Sequence, residues 1–228
     1  ATKRKSVELP KKLDLYVAGF PCQVFSALSR LAGHHRNPVR PLRHLEACVK
    51  TIRTCKPNVF ILENVPRLIT VSKGRYFSKI KRVLKTLKAY SMSFLVLNAR
   101  DYGSPQNRPR LFIVGTLRGG PLRAPVPKRT TKTFESILQR GATREKLNPG
   151  TQAKLDRCAR LYDGPVFMSR NITSLICHGS QRPPCLTAGG RGVYWSKKRI
   201  VTTLREEMRL QGIPDNFSFP PGISMTAG

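Results

Sequence analysis

Residues 13–23 read LDLYVAGFPCQ, an apolar run that ends in Pro21-Cys22-Gln23. Two more signals follow in order, each beside another apolar run: Glu63-Asn64-Val65 and Gln106-Asn107-Arg108-Pro109-Arg110. Short apolar runs with β-branched and aromatic residues are typical of buried strands. The sequence therefore predicts a thiol, a carboxylate and two arginines at strand ends, where open α/β sheets place their active sites.

Each signal is weak by itself. A cysteine after proline usually packs as a small hydrophobic residue, and charged residues at strand ends usually meet solvent or another charge. The three signals are spaced about forty residues apart, which suits one helix plus one strand. Their order and spacing favour a shared site over coincidence.

The three signals together resemble the motifs of the cytosine-C5 DNA methyltransferases. Residues 18–26, AGFPCQVFS, resemble the nucleophile motif, Glu63-Asn64-Val65 the acid motif, and Gln106-x-Arg108-x-Arg110 the arginine motif. Residues 97–105 also resemble the segment that precedes the arginine motif in this family. Residues 204–215 resemble the motif that closes its target-recognition region. The resemblance covers most of the chain, apart from about residues 126–182. It implies an α/β fold, with a partial Rossmann-like methyltransferase sheet and a small, irregular target-recognition region.

The resemblance also implies the roles of the site residues. Cys22 would be the nucleophile that adds to carbon 6 of cytosine and so activates carbon 5. Glu63 would bind the ring nitrogen and the amine of the base and donate a proton to N3. Arg110 would hold the base carbonyl oxygen, and Arg108 would brace the site. Roles in positioning the base, the catalytic loop or the DNA are expected for Phe20, Pro21, Gln23, Ser26, Asn64 and Gln106.

Charge indicates a polyanionic partner. The chain has 42 Lys and Arg against 12 Asp and Glu, a formal net charge of +30 and a pI near 11.0. This excess is far larger than solubility requires, and a phosphate backbone is its obvious partner. DNA is expected, because the base must be flipped out of a duplex, and RNA is the alternative. Backbone contacts are assigned to Arg182, Arg191, Lys197 and Lys198.

The pattern along the chain alternates strands and helices. Strands are predicted at about 13–19, 58–63, 93–98 and 110–116, and helices at about 41–54 and 76–89. One face of the first helix carries an apolar stripe of Leu42, Leu45, Val49 and Ile52, and the stripe of the second, predicted to face the sheet, is Phe77, Ile80, Leu84 and Leu87. The resemblance makes the last two strands antiparallel. Residues 1–120 are expected to form the second half of the catalytic domain, 121–185 the target-recognition region, and 186–228 its end and a return segment. Tyr194 and Trp195 are predicted to be core or hairpin residues.

Other features exclude several classes of protein. The six cysteines contain no C-x-x-C pair, so neither a metal site nor a disulfide framework is predicted. No apolar run approaches the ~20 residues of a membrane span, and no secretory signal is recognisable. An intracellular, reducing compartment is expected, the nucleus or nucleoid first and an organelle as the alternative.

S-adenosylmethionine is the cofactor that the resemblance implies. The family's glycine-rich loop and its ribose-binding and adenine-contacting acids precede the nucleophile motif, whereas only residues 1–20 precede it here and they contain no G-x-G. The family's last cofactor-side motif would begin where this sequence stops. Most of the pocket is therefore expected to come from a further segment or a second polypeptide. The 228-residue chain alone is expected not to bind S-adenosylmethionine measurably.

Two functions from different classes remain open at this point. The first is a DNA (cytosine-5)-methyltransferase, or its catalytic part, which intact Cys22, Glu63, Arg108 and Arg110 favour. The second is a catalytically inactive, methyltransferase-derived RNA- or DNA-binding structural component of a nucleoprotein particle. The missing cofactor loop and the unusual charge favour this second function.

Overall fold

The computed structural model describes residues 10, 12–21, 40–128, 133–161, 167–171, 182–186 and 190–218. The chain forms two compact units. The first comprises residues 1–97 and 109–126, and the second comprises residues 98–108 and 127–228. The three-part division at residues 120 and 185 stays a prediction.

A four-stranded mixed sheet forms the first unit, in the order β1-β2-β4-β3. Its strands are β1 Leu15–Gly19, β2 Val59–Asn64, β3 Tyr90–Asn98 and β4 Pro109–Leu117. β1 runs parallel to β2, and β2 runs antiparallel to β4. All four strands lie within two residues of their predicted bounds, apart from the start of β3, which is three residues earlier.

β3 and β4 also run antiparallel, as the resemblance implied. The backbone N–H of Arg118 donates to the carbonyl of Ala89 at one end of the pair, and that of Ala99 donates to the carbonyl of Arg108 at the other. Residue numbers thus rise along one strand as they fall along the other, which is the antiparallel pattern. This prediction is confirmed.

Two helices cover one face of the sheet. They are α1 Arg40–Cys55 and α2 Arg75–Leu84. Their predicted apolar stripes enter one core with Phe60, Leu62, Leu111 and Ile113 of the strands. The buried residues of the stripes are Leu45, Val49, Ile52, Ile80, Leu84 and Leu87.

α2 ends earlier than predicted, at Leu84 instead of residue 89. The hydroxyl of Thr86 donates to the carbonyl of Val83, 2.6 Å away, and so competes with the helical bond to that carbonyl. The backbone N–H of Leu87 donates to the carbonyl of Leu84 in a tighter turn. Leu87 therefore stays in the core although it lies beyond the helix.

Close packing between β2 and β4 depends on a glycine. Gly115 lies opposite Phe60 in the antiparallel register. A Cβ atom at Gly115 would stand 2.1 Å from Cε1 of Phe60, a separation that no side chain tolerates. The ring of Phe60 also contacts that of Tyr90, with 5.2 Å between the ring centres.

The second unit contains a three-stranded antiparallel sheet, β5 Phe167–Asn171, β6 Gly190–Trp195 and β7 Ile200–Val201. Its helices are α3 Pro149–Arg160 and α4 Leu204–Leu210. Tyr194 and Trp195 are buried in two small apolar clusters, which confirms their assignment to a core hairpin. The sequence did not predict α3, because Leu155 is its one fully buried apolar residue among the described side chains.

A buried ion pair anchors α4 in the second unit. Arg144 donates from Nη2 to Oε1 of Glu206 over 2.6 Å and from Nη1 to Oε2 over 2.7 Å. Burial raises the pKa of Glu206, but hydrogen bonds from Arg144 and from the backbone N–H groups of Gln139 and Thr203 outweigh it and leave the pKa below its ordinary value. Thr203 and Glu206 also form the capping box that starts α4.

Candidate active site

A carboxylate and a guanidinium meet on one face of the first-unit sheet. Nε of Arg110 lies 2.8 Å from Oε1 of Glu63, and the two side chains are 19% and 34% exposed. Arg110 also donates from Nη1 to the carbonyl of Pro109. The pair is thus reachable from solvent but partly shielded from it, which strengthens its electrostatic interaction.

Strand alternation brings the two charges together. Phe60, Leu62 and Asn64 are buried on the helix-covered side of β2, so Glu63 lies on the other face. Leu111 and Ile113 are core residues of β4, so Arg110 shares the face of Glu63. Because Glu63 lies opposite Phe112, Arg110 is its diagonal neighbour across the strands.

Gly19 ends β1 beside this pair. It lies opposite Glu63 in the parallel register. A Cβ atom there would stand 3.4 Å from Oε2 of Glu63. A larger side chain at this position would crowd the carboxylate, and glycine keeps that side of it open.

Asn64 connects the end of β2 to the end of β1. Its buried Nδ2 donates to the carbonyl of Phe20 over 3.1 Å, and its Oδ1 accepts from the backbone N–H of Val65 at 2.9 Å. Phe20 is itself buried in the core. The bond fixes the backbone immediately before Pro21 and Cys22, which suits the positioning role predicted for Asn64.

Arg108 belongs to the second unit and is held there by side chains. Its Nη1 donates to Sγ of Cys185 over 3.0 Å, and its backbone N–H donates to Oδ1 of Asn98 over 2.9 Å. Asn98 also donates from Nδ2 to Oδ1 of Asn107. Arg108 is therefore held by one contact at its backbone N–H and by another at its guanidinium.

Gln106 is almost completely buried, with 1% of its surface exposed. Its backbone N–H donates to Oγ of Ser104. Its Nε2 has no hydrogen-bond partner among the described residues. A buried amide left unpaired costs about 1–3 kcal/mol, so Gln106 is a candidate for contact with a ligand.

The basic residues assigned to DNA contact lie in two segments of the second unit. Lys197 and Lys198 are exposed in the turn between β6 and β7, with Nζ atoms 5.8 and 5.6 Å from the ring centre of Trp195. Arg182 is exposed as well. Such contacts restrain the lysines but leave their charges at the surface.

The family can be assigned from the sequence comparison. The sequence model described as C-5 cytosine-specific DNA methylase matches residues 1–163, which is most of the chain. The chain belongs to this family. The resemblance found in the motifs is thereby confirmed.

Individual members of the family match at moderate identity. Type II methyltransferase M.SsoII of Shigella sonnei is 38% identical over 238 residues, which is 96% of this chain and 59% of the relative. Type II methyltransferase M.NgoBI of Neisseria gonorrhoeae is 33% identical over 208 residues, 90% of this chain and 64% of the relative. The chain spans about six tenths of the length of such curated relatives.

The fold also matches a solved methyltransferase structure. EhMeth of Entamoeba histolytica superposes with a TM-score of 0.55 at 16% identity, and the match covers 92% of this chain and 69% of that one. Likeness at this identity establishes the fold alone. The predicted α/β methyltransferase fold is confirmed.

The described residues do not make a complete site for S-adenosylmethionine, the methyl donor that the family uses. Binding its ribose requires an acid near the carboxyl ends of the strands. Among the described acids of the first unit, Glu63 pairs with Arg110, Asp14 accepts from Asn58 at the opposite ends of the strands, and Glu46 lies in α1. These residues do not fit the group by themselves.

Several predicted site residues fall outside the described part of the chain. They are Cys22, Gln23, Ser26 and the side chain of Arg191. Their roles stay predictions.

Sequence reasoning missed Asn98 and Cys185, which hold Arg108. An asparagine at the end of a strand reads as an ordinary cap, and Asn98 does accept the backbone N–H of Arg100. Cys185 lies 77 residues from Arg108, and no local pattern connects them.

The helices of the described ranges include none with both the length and the hydropathy of a membrane-crossing segment.

Proposed function

We propose that this chain carries the catalytic and DNA-facing part of a DNA (cytosine-5)-methyltransferase. The observation that carries the proposal is the Glu63–Arg110 pair, partly exposed at the strand ends of a fold whose family modifies cytosine. Asn64 supports it, because its bond to Phe20 fixes the backbone next to Pro21 at the same end of the sheet. The fold and the family comparison add nothing in favour of the structural nucleoprotein component, which depends on the charge and the missing cofactor loop alone.

In the proposed reaction the thiolate of Cys22 adds to carbon 6 of a flipped cytosine. A bond forms between Sγ and carbon 6, the double bond to carbon 5 opens, and Glu63 donates a proton to N3. Carbon 5 then has the electron density to accept a methyl group, which S-adenosylmethionine supplies when bound. Loss of the carbon 5 proton to solvent, departure of the thiolate and return of the N3 proton to Glu63 restore the base.

Arg110 and Glu63 would share the recognition of the base. A planar guanidinium can hold the carbonyl oxygen of cytosine while it still contacts the carboxylate. Their 2.8 Å contact supports this proposal, because it holds the two side chains next to each other. The bracing role of Arg108 stays a prediction, and within the second unit Asn98 and Cys185 hold this arginine.

DNA is the proposed partner, and the nucleus or nucleoid the proposed location. Flipping a base costs a few kcal/mol, and contacts with the phosphate backbone must offset this cost. The net charge of +30 can supply them. Lys197, Lys198 and Arg182 are proposed backbone contacts, since all three are exposed.

Covalent trapping tests the proposed nucleophile. In the full-length protein, with S-adenosylmethionine present, DNA containing 5-fluorocytosine should form a stable adduct, because fluorine at carbon 5 blocks the final elimination. The adduct is measured as a shifted band in a denaturing gel. Cys22→Ser should abolish it.

Cys185→Ser is the matched control. It removes a thiol that bonds to Arg108 but should leave adduct formation in place, since the serine hydroxyl can accept the same hydrogen bond. An adduct that survives Cys22→Ser would contradict the proposed mechanism.

A further inference from the structure

One segment of the first unit carries basic residues without any acid. Residues 64–97 contain no Asp or Glu. The basic residues in this range are Arg67, Lys73, Arg75, Lys79, Lys81, Arg82, Lys85 and Lys88. Most of them lie on α2 or in the turn that follows it.

Six of these residues form one exposed surface. Residues Ile80, Leu84 and Leu87 of the same segment are buried in the core, so the charged side chains point outward. The six residues, called here the α2 basic surface, are Arg75, Lys79, Lys81, Arg82, Lys85 and Lys88, and all six are exposed.

Three of these residues form a row along the helix. Arg75, Lys79 and Arg82 follow each other at intervals of four and three residues within α2, and residues at these intervals are about 5–6 Å apart on a helix surface. Lys81 also lies on α2, and Lys85 and Lys88 follow in the turn after it. The row therefore presents charges at a spacing along which successive phosphates can be contacted.

The charges of the α2 basic surface are not neutralised within the described part of the chain. None of its six side chains forms an ion pair there. Lys79 and Lys81 lie only near the rings of Tyr76 and Phe77, at 6.0 and 5.3 Å. Like charges at such intervals destabilise a helix, and a bound polyanion would remove that repulsion.

The α2 basic surface lies on the other side of the sheet from the candidate active site. α2 packs on the face that holds Phe60 and Leu62, and its charges point away from that face. Glu63 and Arg110 lie on the opposite face. The two features are thus separate regions of the first unit.

We infer that the α2 basic surface is a second nucleic-acid-binding surface, which contacts the phosphate backbone independently of the active site. A membrane fits less well, because a helix that lies on lipid inserts its apolar side, and the apolar side of α2 is in the protein core. Phosphate contacts carry no sequence information, so binding at this surface is expected to be insensitive to sequence. The inference does not depend on methyl transfer.

The test uses a 20-base-pair duplex that contains only A·T pairs. Such a duplex has no cytosine to flip, so its binding does not involve the proposed reaction. The affinity of the full chain is measured by fluorescence anisotropy between 50 and 200 mM salt. The variant K81Q/K85Q/K88Q should lower the slope of log affinity against log salt by about 2 to 3, since each lost contact contributes about 0.9.

The matched control is K154Q/R157Q/R160Q, which removes three exposed charges from α3 at similar intervals. It should change the slope by less than half as much as the α2 variant. Glutamine is a good helix former, so both variants should keep the wild-type circular dichroism spectrum. If the triple α2 variant does not fold, K85Q alone should lower the slope by about 0.9.

Three results would overturn the inference. The first is an unchanged slope for the folded α2 variant, and the second is an equal change in the α3 control. The third is that the α2 variant loses affinity for vesicles of phosphatidylserine and phosphatidylcholine but binds the duplex as the wild type does. A hairpin RNA measured in parallel should lose affinity as the duplex does, because both present the same phosphate chemistry.

Discussion

In the first unit an apolar core lies between the sheet and two helices, and the basic residues of α2 point outward without acidic partners in the described chain. In the second unit the apolar clusters are small, and acids pair with arginines around them. The fully buried Glu206 pairs with Arg144, and Asp156 and Asp215 pair with Arg199 and Arg209. The second unit therefore uses these acids for its own structure, whereas the basic residues of α2 in the first unit have no acidic partner in the described chain.

Removal of the buried pair's cation should have the largest effect on stability. Arg144→Ala leaves the carboxylate of Glu206 buried without its counter-charge, which should lower the free energy of unfolding by about 3–5 kcal/mol. Trp195 is the one tryptophan of the chain and is buried in the second unit, so its fluorescence in a urea titration reports on that unit.

Arg199→Ala is the control, because it removes a positive charge from an exposed ion pair of the same unit. Its partner Asp156 lies 2.7 Å away, but the arginine side chain is 63% exposed. Surface pairs of this kind contribute about 0–1 kcal/mol. Equal losses for the two variants would mean that the buried pair does not hold the second unit together. The double variant R144M/E206Q should recover part of the loss, since it leaves no buried charge and the glutamine carbonyl can still accept a backbone N–H.

A smaller effect is expected from overpacking in the first unit. Gly115→Ala places a Cβ atom against the ring of Phe60, so Phe60 or the backbone must shift at a cost of about 1–3 kcal/mol. Hydrogen exchange of the amides of residues 59–64 measures this loss locally. Gly120→Ala is the control, because its Cβ would meet no atom within 4 Å. If both variants were equally stable, close packing against Phe60 would not determine the stability of the first unit.

The fold of the first unit could be predicted from the sequence because its signals are local. Apolar runs marked β1, β2 and β4, and the stripes of α1 and α2 identified the residues that enter the core. The helix α3 was missed, because Leu155 is the one fully buried apolar residue among its described side chains, and one residue makes no stripe to detect. The early end of α2 depends on one threonine hydroxyl, which periodicity does not reveal.

The candidate site could be predicted from the sequence to the same extent. Glu63 and Arg110 were placed at strand ends from sequence, but their contact depends on the register between β2 and β4. The anchoring of Arg108 by Cys185 and of Glu206 by Arg144 joins residues 77 and 62 positions apart. Such pairings arise from tertiary folding, so no local pattern could have identified them.

The central claim is that Glu63 acts on the base and does not merely support the fold. Its most direct test compares turnover with DNA affinity for Glu63→Gln in the full-length protein. Turnover should fall by roughly 10² to 10⁴, the usual contribution of a general acid, while affinity for duplex DNA stays nearly unchanged. A fall in affinity by the same factor as turnover, or a variant that keeps wild-type turnover, would contradict this account.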